Sequence, residues 1–541
     1  MRFTLDAPPG FTMVGVPVPS PDGRRLVFAG RSTSGSTSLW VRAVDSTNSQ
    51  PIPGTDGGSH PFWSPDGQSI GFSADNLLKR TPIAGGPVQR ITELDPLTVG
   101  AAWSHDDVIL FTPSNQAPLH RVAAGGGTPE PITTLNRERS ENSHRWPQFL
   151  PDGRHFIYTA RSGVPQNSAI YIASLDNPDS PTPLVTAQSA GVFVDPGYLL
   201  FVRDGTLLAQ RFDVASRTLT GSAAAIAGNV AAFAASHDGT VLTYNPVAMR
   251  RLVWRDRTGA ERAVIPARGR FSQVRVSPDE TRAAVVIADD GGRDIWVVAL
   301  ADGRITRVTS HPGSDWFPAW SPDGSEIMFA SDRNATYAIY AARASGGGDE
   351  RHIFTNPRPN LLTPTDWSRD GKFVLIHSYP RQDISLLPLA PPGPPTPLVS
   401  SPFADWLASF SPDGRRVAYV SDESRQDEVY VRGRDDAARY RVSIDGGTQP
   451  RWRGDGRELF FIGSGDRLFA ARVTAGTTTF QTDAPVALFE ACPPAPGEEQ
   501  APFMYRYDVS ADGSRTLWTC PESEALLPTV AIHAVAALPA R

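Results

Sequence analysis

A serine in the run Gly67-Gln68-Ser69-Ile70-Gly71 fits the glycine–x–serine–x–glycine pattern that exposes a nucleophilic serine in some hydrolases. That chemistry needs a sharp turn from a strand of a parallel sheet into a helix. Ser69 instead follows a Ser-Pro-Asp-Gly turn, and the same slot after other copies of this turn holds Arg25, Glu326 and Arg416. Charged residues in that slot indicate an exposed strand position, so the pattern predicts a structural serine.

Histidine is the next residue type that could do chemistry. The chain has ten histidines, and none of them pairs at i, i+4 or joins cysteines at the spacing of a zinc site. The sequence therefore predicts neither a metal nor a cofactor. His60 and His144 precede predicted strands on which side chains from separate repeats converge, so we treat both as candidate binding residues.

Aromatic and arginine side chains before several predicted strands are the best binding candidates, because these residue types dominate binding hot spots. With the two histidines, the candidates are His60, His144, Arg145, Asp315, Trp316, Asp405, Trp406, Arg451, Tyr505 and Arg506. Five tryptophans instead recur in one repeated slot and are expected to pack between repeats: Trp63, Trp103, Trp320, Trp367 and Trp452. Trp316 and Trp406 fall outside that slot, so we expect them to contact a ligand or partner.

The chain has two cysteines, Cys492 and Cys520, which fall in the last two repeats. Neighbouring repeats could bring them within disulfide distance, and a lone pair favours an oxidising, extracytoplasmic compartment. Two unrelated buried thiols are the alternative. The first residues show no basic region followed by an apolar core, so we expect no signal peptide there, and a strand-like start is expected of a piece of a longer protein.

The elements that must position these residues are predicted to be strands. The chain has 541 residues with 50 prolines and 47 glycines, spread through short turn signals between alternating apolar and polar runs. Turns at this density, without long helical periodicity, predict an all-β protein. The net charge of −6 argues against nucleic-acid binding, and no apolar run is long enough to insert into a membrane.

Those turns form a repeat. Ser-Pro-Asp-Gly stands at 20–23, 64–67, 321–324 and 411–414, and degenerate copies bring the total to twelve. The copies are spaced by roughly 40–47 residues, with one longer step at the end, which is typical of a repeat array. The aspartates of these turns are expected to accept local backbone N–H groups rather than to act as catalytic carboxylates.

Each repeat holds four short predicted strands, with the turn between the first and the second. For example, Pro318–Trp320 leads into the turn at 321–324, and Arg416–Val420 follows the turn at 411–414. Four antiparallel strands in about 40–45 residues make one blade of a β-propeller. A single blade cannot bury both of its faces, so the ring of blades must supply the core.

The run Trp-Ser-Pro-Asp-Gly, followed by a strand and then by Asp-Ile-Trp-Val at 294–297, resembles the TolB-type, WD40-like repeat called PD40. The segments at 143–153 and 197–207 also resemble the C-terminal propeller regions of bacterial membrane-associated serine/threonine kinases. That resemblance implies a sensory or binding role. The kinase motifs themselves are missing, so no kinase activity is implied.

Twelve blades exceed the usual four to eight of one ring. We therefore expect two six-bladed propellers, residues 1–266 and 267–541, with a 5+7 division as the alternative. The strand at 2–5 is expected to complete the last blade of the second ring and so pair the two termini.

Two functional classes follow. The first is a non-catalytic sensory or interaction platform that binds a protein or a small ligand at a channel mouth. The second is a propeller enzyme, a hydrolase or a lyase, with its site at a channel mouth.

Overall fold

The computed structural model describes residues 1–32, 36–94, 100–114, 117–162, 165–187, 189–289, 292–311, 313–333, 337–355, 361–379, 383–435, 438–476, 479–493, 504–522 and 527–535. Over these ranges the chain is built of β-strands, with two short 3-10 turns at Pro165–Asn167 and Ser464–Asp466. The predicted all-β class is confirmed. None of the helices in these ranges has the length and apolar character needed to cross a membrane.

The repeated turn folds each blade locally. In the copy at 321–324, the Ser321 hydroxyl donates to Asp323 at 2.7 Å and accepts the N–H of Glu326 at 2.9 Å. The N–H of Gly324 donates to the carbonyl of Ser321, and the φ of Gly324 is 68°, in the left-handed region that favours glycine. The tetrapeptide thus satisfies its own polar groups while it reverses the chain between the first two strands.

The chain divides into two compact units, Met1–Val247 with Ala525–Arg541, and Ala248–Glu524. The strands of the first unit are, in chain order, β1 (Arg2–Thr4), β2 (Phe11–Pro19), β3 (Arg25–Ser32), β4 (Thr37–Ala43), β5 (Ser49–Pro51), β6 (Ser59–Trp63), β7 (Ser69–Ala74), β8 (Leu77–Pro82), β9 (Gln89–Glu93), β10 (Ala101–Trp103), β11 (Val108–Phe111), β12 (His120–Ala123), β13 (Glu130–Pro131), β14 (Glu141–Phe149), β15 (His155–Ser162), β16 (Ala169–Ser174), β17 (Thr182–Thr186), β18 (Val192–Val194), β19 (Tyr198–Arg203), β20 (Thr206–Asp213), β21 (Thr218–Ala227), β22 (Val230–Ala235) and β23 (Val241–Pro246).

The second unit has the same organisation. Its strands are β24 (Arg250–Asp256), β25 (Glu261–Gly269), β26 (Phe271–Val276), β27 (Arg282–Asp289), β28 (Gly292–Ala299), β29 (Ile305–Arg307), β30 (Asp315–Trp320), β31 (Glu326–Ser331), β32 (Ala338–Arg343), β33 (Arg351–Thr355), β34 (Leu361–Trp367), β35 (Phe373–Tyr379), β36 (Ile384–Pro388), β37 (Thr396–Val399), β38 (Asp405–Phe410), β39 (Arg416–Ser421), β40 (Glu428–Gly433), β41 (Arg439–Arg441), β42 (Gly447–Trp452), β43 (Glu458–Gly463), β44 (Arg467–Ala475), β45 (Phe480–Thr482), β46 (Val486–Glu490), β47 (Tyr507–Val509) and β48 (Arg515–Pro521). β49 (Thr529–Ile532) follows and belongs to the first unit.

Each unit contains six antiparallel sheets, which are the twelve predicted blades. Five sheets of each unit are consecutive in sequence, for example β2-β3-β4-β5 and β30-β31-β32-β33; the sheet that begins with β42 gains a fifth strand, β46. First strands of neighbouring sheets contact one another, as β26 contacts β30 and β38 contacts β42. They are therefore the innermost strands of each ring.

The sixth sheet of each unit is assembled from distant parts of the chain. In the first unit its order is β22-β23-β49-β1, with Phe3 paired to Val530, so the strands nearest the two termini lie side by side. In the second unit the order is β47-β48-β24-β25. The second ring is closed by strands from the beginning and from the end of the second unit. The chain then returns to the first unit, where β49 closes the first ring.

This exchange changes the expected boundaries. The predicted division after residue 266 differs from the observed one after Val247, because β24 pairs with β48 over seven residues, from Arg250–Pro521 to Asp256–Arg515. The N-terminal strand likewise completes the first ring, where the sequence had predicted the second. Pairing of the two termini in one blade occurs as expected.

The repeated tryptophan slot lies between blades. Trp320 is 7% exposed, and its indole N–H donates to the carbonyl of Arg275 in the preceding blade at 2.9 Å. Trp63 and Trp452 make the same bond to Val18 and Ser409. Trp103 and Trp367 donate instead within their own turns, to Asp107 and Gly371. The last two blades of the second unit are also joined covalently, because Cys492 and Cys520 form a disulfide.

Candidate functional site

One layer of side chains distinguishes the two units. It is formed by the residue two positions before the first residue of each repeated turn, on the innermost strand of every blade. In the second unit these residues are Arg275, Ala319, Asp366, Ser409, Arg451 and Asp508, which we call the charged layer. In the first unit they are Val18, Phe62, Ala102, Gln148, Val192 and Ala234. Two arginines and two aspartates therefore converge in the second ring only.

The charged side chains reach across blades to one another. Arg275 donates to the carbonyl of Thr365 at 2.8 Å and to Oδ1 of Asp366 at 3.2 Å, and its Nε lies 3.5 Å from Oδ2 of Asp508. Nε of Arg451 lies 3.4 Å from Oδ1 of Asp508. The two carboxylates also accept backbone N–H groups of the next blade, from Phe410 at 2.9 Å and from Val276 at 2.8 Å.

Arg451 is the least satisfied member of the layer. The residue is 3% exposed, and among the described residues its Nε, Nη1 and Nη2 have no hydrogen-bond acceptor. Burial lowers the pKa of Arg451, and the charge of Arg275 lowers it further. Although burial acts in the same direction on Arg275, Asp508 and Asp366 raise the pKa of that arginine. The two aspartates therefore stabilise the charge of Arg275 more than that of Arg451.

An aromatic cluster covers one end of the charged layer. We define the mouth cluster as Trp316, Phe317, Trp406, Leu407, Met504 and Tyr505, which pack together with Ala330, Leu361 and Val420. Cζ of Arg451 lies 3.2 Å from the centroid of the Tyr505 ring, and the Tyr505 hydroxyl donates to the carbonyl of Leu407 at 3.0 Å. Trp316 and Leu407 lie near the starts of their strands, at the end opposite the repeated turns.

The backbone at this end is shaped by a β-bulge in five of the six innermost strands of the second unit, β26, β30, β34, β38 and β42. Pairing of β30 with β31 shifts between Trp316 and Ala319, and Phe317 has a φ of 59°. The bulged residue of two other blades is a glutamine that ties blades together. Oε1 of Gln273 accepts the N–H of Phe317, and Oε1 of Gln449 accepts that of Arg506, each at 2.9 Å. The site is thus built on a cross-linked backbone.

Four of the predicted binding residues meet here: Trp316, Trp406, Arg451 and Tyr505. Their exposure differs, because Trp406 is 5% exposed while Trp316 is half-buried. Arg275, Asp366 and Asp508 were not predicted from the sequence. The sequence could have shown them, because all three occupy the same position of the repeat, two residues before the turn.

Three further candidates of the second unit lie outside the mouth cluster. Asp315 is buried and ion-paired with Arg333 at 3.1 Å; burial raises the pKa of Asp315 to about 7, although Arg333 acts in the opposite direction. Asp405 is buried and accepts the Ser401 hydroxyl at 2.7 Å. Arg506 pairs with Asp466. Each serves contacts within or between blades.

The remaining candidates lie in the first unit. His144 is 1% exposed, and its ring nitrogens lie 2.7 Å from Thr133 Oγ1 and 3.1 Å from Glu141 Oε2. His60 is exposed on β6. Nε of Arg145 donates to Ser143 at 2.8 Å. The predicted residues therefore divide between the two units. Within the described ranges, no group of three or more His, Cys, Asp or Glu side chains could hold a metal ion.

Comparison with protein families agrees with the predicted repeat type. Residues 232–390 match the family model described as the TolB beta propeller domain, PD40. This segment contains the end of the first unit, two complete consecutive blades of the second unit and three strands of a third blade. The chain thus carries a PD40-type propeller, as the Ser-Pro-Asp-Gly turns predicted.

Similar proteins are distant. An uncharacterized protein of Agrobacterium fabrum, Atu1656, is 22% identical over 204 residues, which are 35% of this chain and 68% of that protein. The tricorn protease homolog 1 of Streptomyces coelicolor is 25% identical over 178 residues, 30% of this chain. The chain spans 16% of the length of that homolog.

Among solved structures, one similar to this chain is a protein assigned as TolB from Agrobacterium tumefaciens. It is 18% identical, with a TM-score of 0.39, and the alignment covers 51% of this chain and 99% of that one.

Proposed function

We propose that this protein is a non-catalytic binding platform that takes a protein partner or a small ligand at the mouth cluster of its second propeller. One observation carries the proposal. Trp316, Trp406, Tyr505 and Arg451 come from separate blades and from the segment before β47, yet they meet over one end of the charged layer.

The chemistry of this surface suits recognition. Tryptophan, tyrosine and arginine contribute most to binding hot spots, and they do so best where the surrounding structure is rigid. Hydrogen bonds from the N–H of Phe317 to Gln273 and from the N–H of Arg506 to Gln449 fix the backbone around these side chains. A partner would therefore meet a preorganised surface and lose little free energy in ordering it.

The test compares two half-buried tryptophans of the second unit. Trp316 lies in the mouth cluster, whereas Trp296 lies on β28, the third strand of its blade, where Arg307 stacks on it. The full chain and the variants Trp316→Glu and Trp296→Glu are immobilised and exposed to extracts of the source cells. Retained molecules are then quantified by mass spectrometry.

We expect Trp316→Glu to retain at least tenfold less of a molecule that the parent retains. Trp296→Glu should retain as much of this molecule as the parent does. Melting curves of the three proteins check that each is folded. Equal retention by both variants would remove the support for this surface as the binding site.

A further inference from the structure

We propose that Arg451 is the anchor of a carboxylate-binding site, which the Tyr505 ring closes in this structure. This inference deepens the proposed binding function, because it names the chemical group that the second propeller recognises. It rests on geometry: a guanidinium that is 3% exposed, with no acceptor among the described residues for Nε, Nη1 or Nη2.

The neighbouring carboxylates meet this demand only in part, because Nε of Arg451 lies 3.4 Å from Oδ1 of Asp508 without a hydrogen bond. Oδ1 of Asp508 accepts the N–H of Val509 at 3.0 Å, and Oδ2 accepts that of Val276 at 2.8 Å. Asp366 is bound by Arg275 and by the N–H of Phe410. Leaving donors of a buried charged group unpaired costs more than a typical hydrogen bond contributes, so the site gains free energy from a further acceptor.

A carboxylate is the acceptor that matches. The planar guanidinium presents parallel N–H groups that bind two carboxylate oxygens at once. The Tyr505 ring lies against the face of the guanidinium, with 3.2 Å from Cζ to the ring centroid, which leaves the N–H edges as the recognition elements. The ligand class is therefore a small carboxylic acid or a carboxylate on a larger partner.

Tyr505 is the side chain that must move to admit a ligand, because the Arg451 nitrogens have no contact with solvent in the closed state. Tyr505 precedes β47 and lies in no strand. Two hydrogen bonds hold it: its hydroxyl donates to Leu407 at 3.0 Å, and its carbonyl accepts the N–H of Val274 at 3.2 Å. Loss of the ring should therefore open the site while the strands stay in place.

The experiment measures acetate binding to the full chain by saturation-transfer NMR, at constant ionic strength set with chloride. Acetamide, which has the shape of acetate without its charge, and inorganic phosphate are titrated in parallel. The variants are Tyr505→Ala, Arg451→Met and Arg451→Lys. Arg441→Met is the matched control, because Arg441 is exposed on the outer strand β41.

We expect acetate to bind Tyr505→Ala about tenfold more tightly than the parent, Arg451→Met to show no saturable binding, and Arg451→Lys to bind at least tenfold more weakly than the parent. Arg441→Met should match the parent. Arg451→Met should also melt no lower than the parent, since it removes unpaired buried donors; a clearly lower melting temperature would indicate a structural role and overturn the proposal.

Equal binding of acetamide, tighter binding of phosphate, or acetate binding that survives in Arg451→Met would also overturn it. These outcomes can be distinguished from a failure of the proposed binding function. If acetate fails to bind while Trp316→Glu still abolishes retention of a partner, the carboxylate site is wrong and the proposed function stands.

Discussion

Three tryptophans of the second unit show how position in the repeat sets the role of one residue type. Trp320 fills the slot between blades, Trp406 is 5% exposed inside the mouth cluster, and Trp316 is half-buried at its edge. A buried aromatic ring contributes through the area it removes from water and through the packing around it. The three residues should therefore differ in their contribution to stability.

We expect Trp320→Ala and Trp406→Ala each to lower the free energy of unfolding by about 3–5 kcal/mol, as truncation of a large core side chain does. Trp316→Ala should cost less than about 2 kcal/mol, because part of its ring already faces solvent. Urea denaturation of the three variants, followed by tryptophan fluorescence, measures the difference. A loss with Trp316→Ala equal to that of Trp320→Ala would make Trp316 a core residue.

Burial of Trp406 could not be predicted from the sequence, for a local reason. The bulge at Leu407 inserts one extra residue into β38, which breaks the alternation of side chains that sequence analysis relies on. Leu407 also adopts a φ of 48°, which a leucine in the sequence does not predict. Arg451 and Tyr505 could be predicted because they stand in runs that lead into predicted innermost strands, Gln449-Pro450-Arg451 and Tyr505-Arg506-Tyr507.

At the scale of the single element, the repeated turn couples stability to pH. The turn aspartates have pKa values below the ordinary value of 3.8, at positions 22, 66, 152, 238, 279, 323, 370, 413 and 512. In one copy, the Ser321 hydroxyl and then the N–H and hydroxyl of Ser325 lower the pKa of Asp323 to about 2. The folded protein therefore favours the ionised form of these carboxylates.

A lowered pKa in the folded state stabilises the protein above the unfolded value of about 4, and this stability is lost as the pH falls through the folded value. We expect the melting temperature to fall steeply between about pH 4 and pH 2. Changing Asp to Asn in the four intact turns, at 22, 66, 323 and 413, should lower the melting temperature at pH 7 and flatten the acid limb.

The matched control changes four exposed aspartates outside these turns to asparagine: Asp45, Asp56, Asp349 and Asp435. An acid limb that is equally steep in both sets of variants would show that the turn carboxylates are not its source. Scanning calorimetry in steps of half a pH unit resolves the two curves.

At the scale of the whole molecule, each ring depends on strands from distant parts of the chain. β49 lies between β23 and β1 in the closing sheet of the first unit. Removing residues 525–541 therefore deletes β49 from the interior of this sheet and leaves β1 without a strand to pair with. We expect this truncation to abolish or strongly weaken the unfolding transition of the first unit in calorimetry and to preserve that of the second. Loss of both transitions would contradict independent closure of the two rings.

The number of blades was predictable, whereas the strand exchange was not. Twelve turns with a nearly constant period predict twelve blades, since each turn joins the first two strands of one blade. The outer strands have no such marker: β24 follows β23 at ordinary spacing, yet β24 pairs with β48 and β25 pairs with β24 in the second unit. An outer strand with alternating apolar and polar residues can pair equally well with the inner strands of several blades. The pairing is therefore determined only when each ring closes.

The central claim is that the mouth cluster of the second propeller is the binding surface. Hydrogen–deuterium exchange of the full chain, with and without the molecule retained in the capture experiment, tests it most directly. We expect slower exchange in β30, in β38 and in residues 504–507, with the first unit unchanged. Protection confined to the first unit, for example to β14 around His144, would contradict the claim.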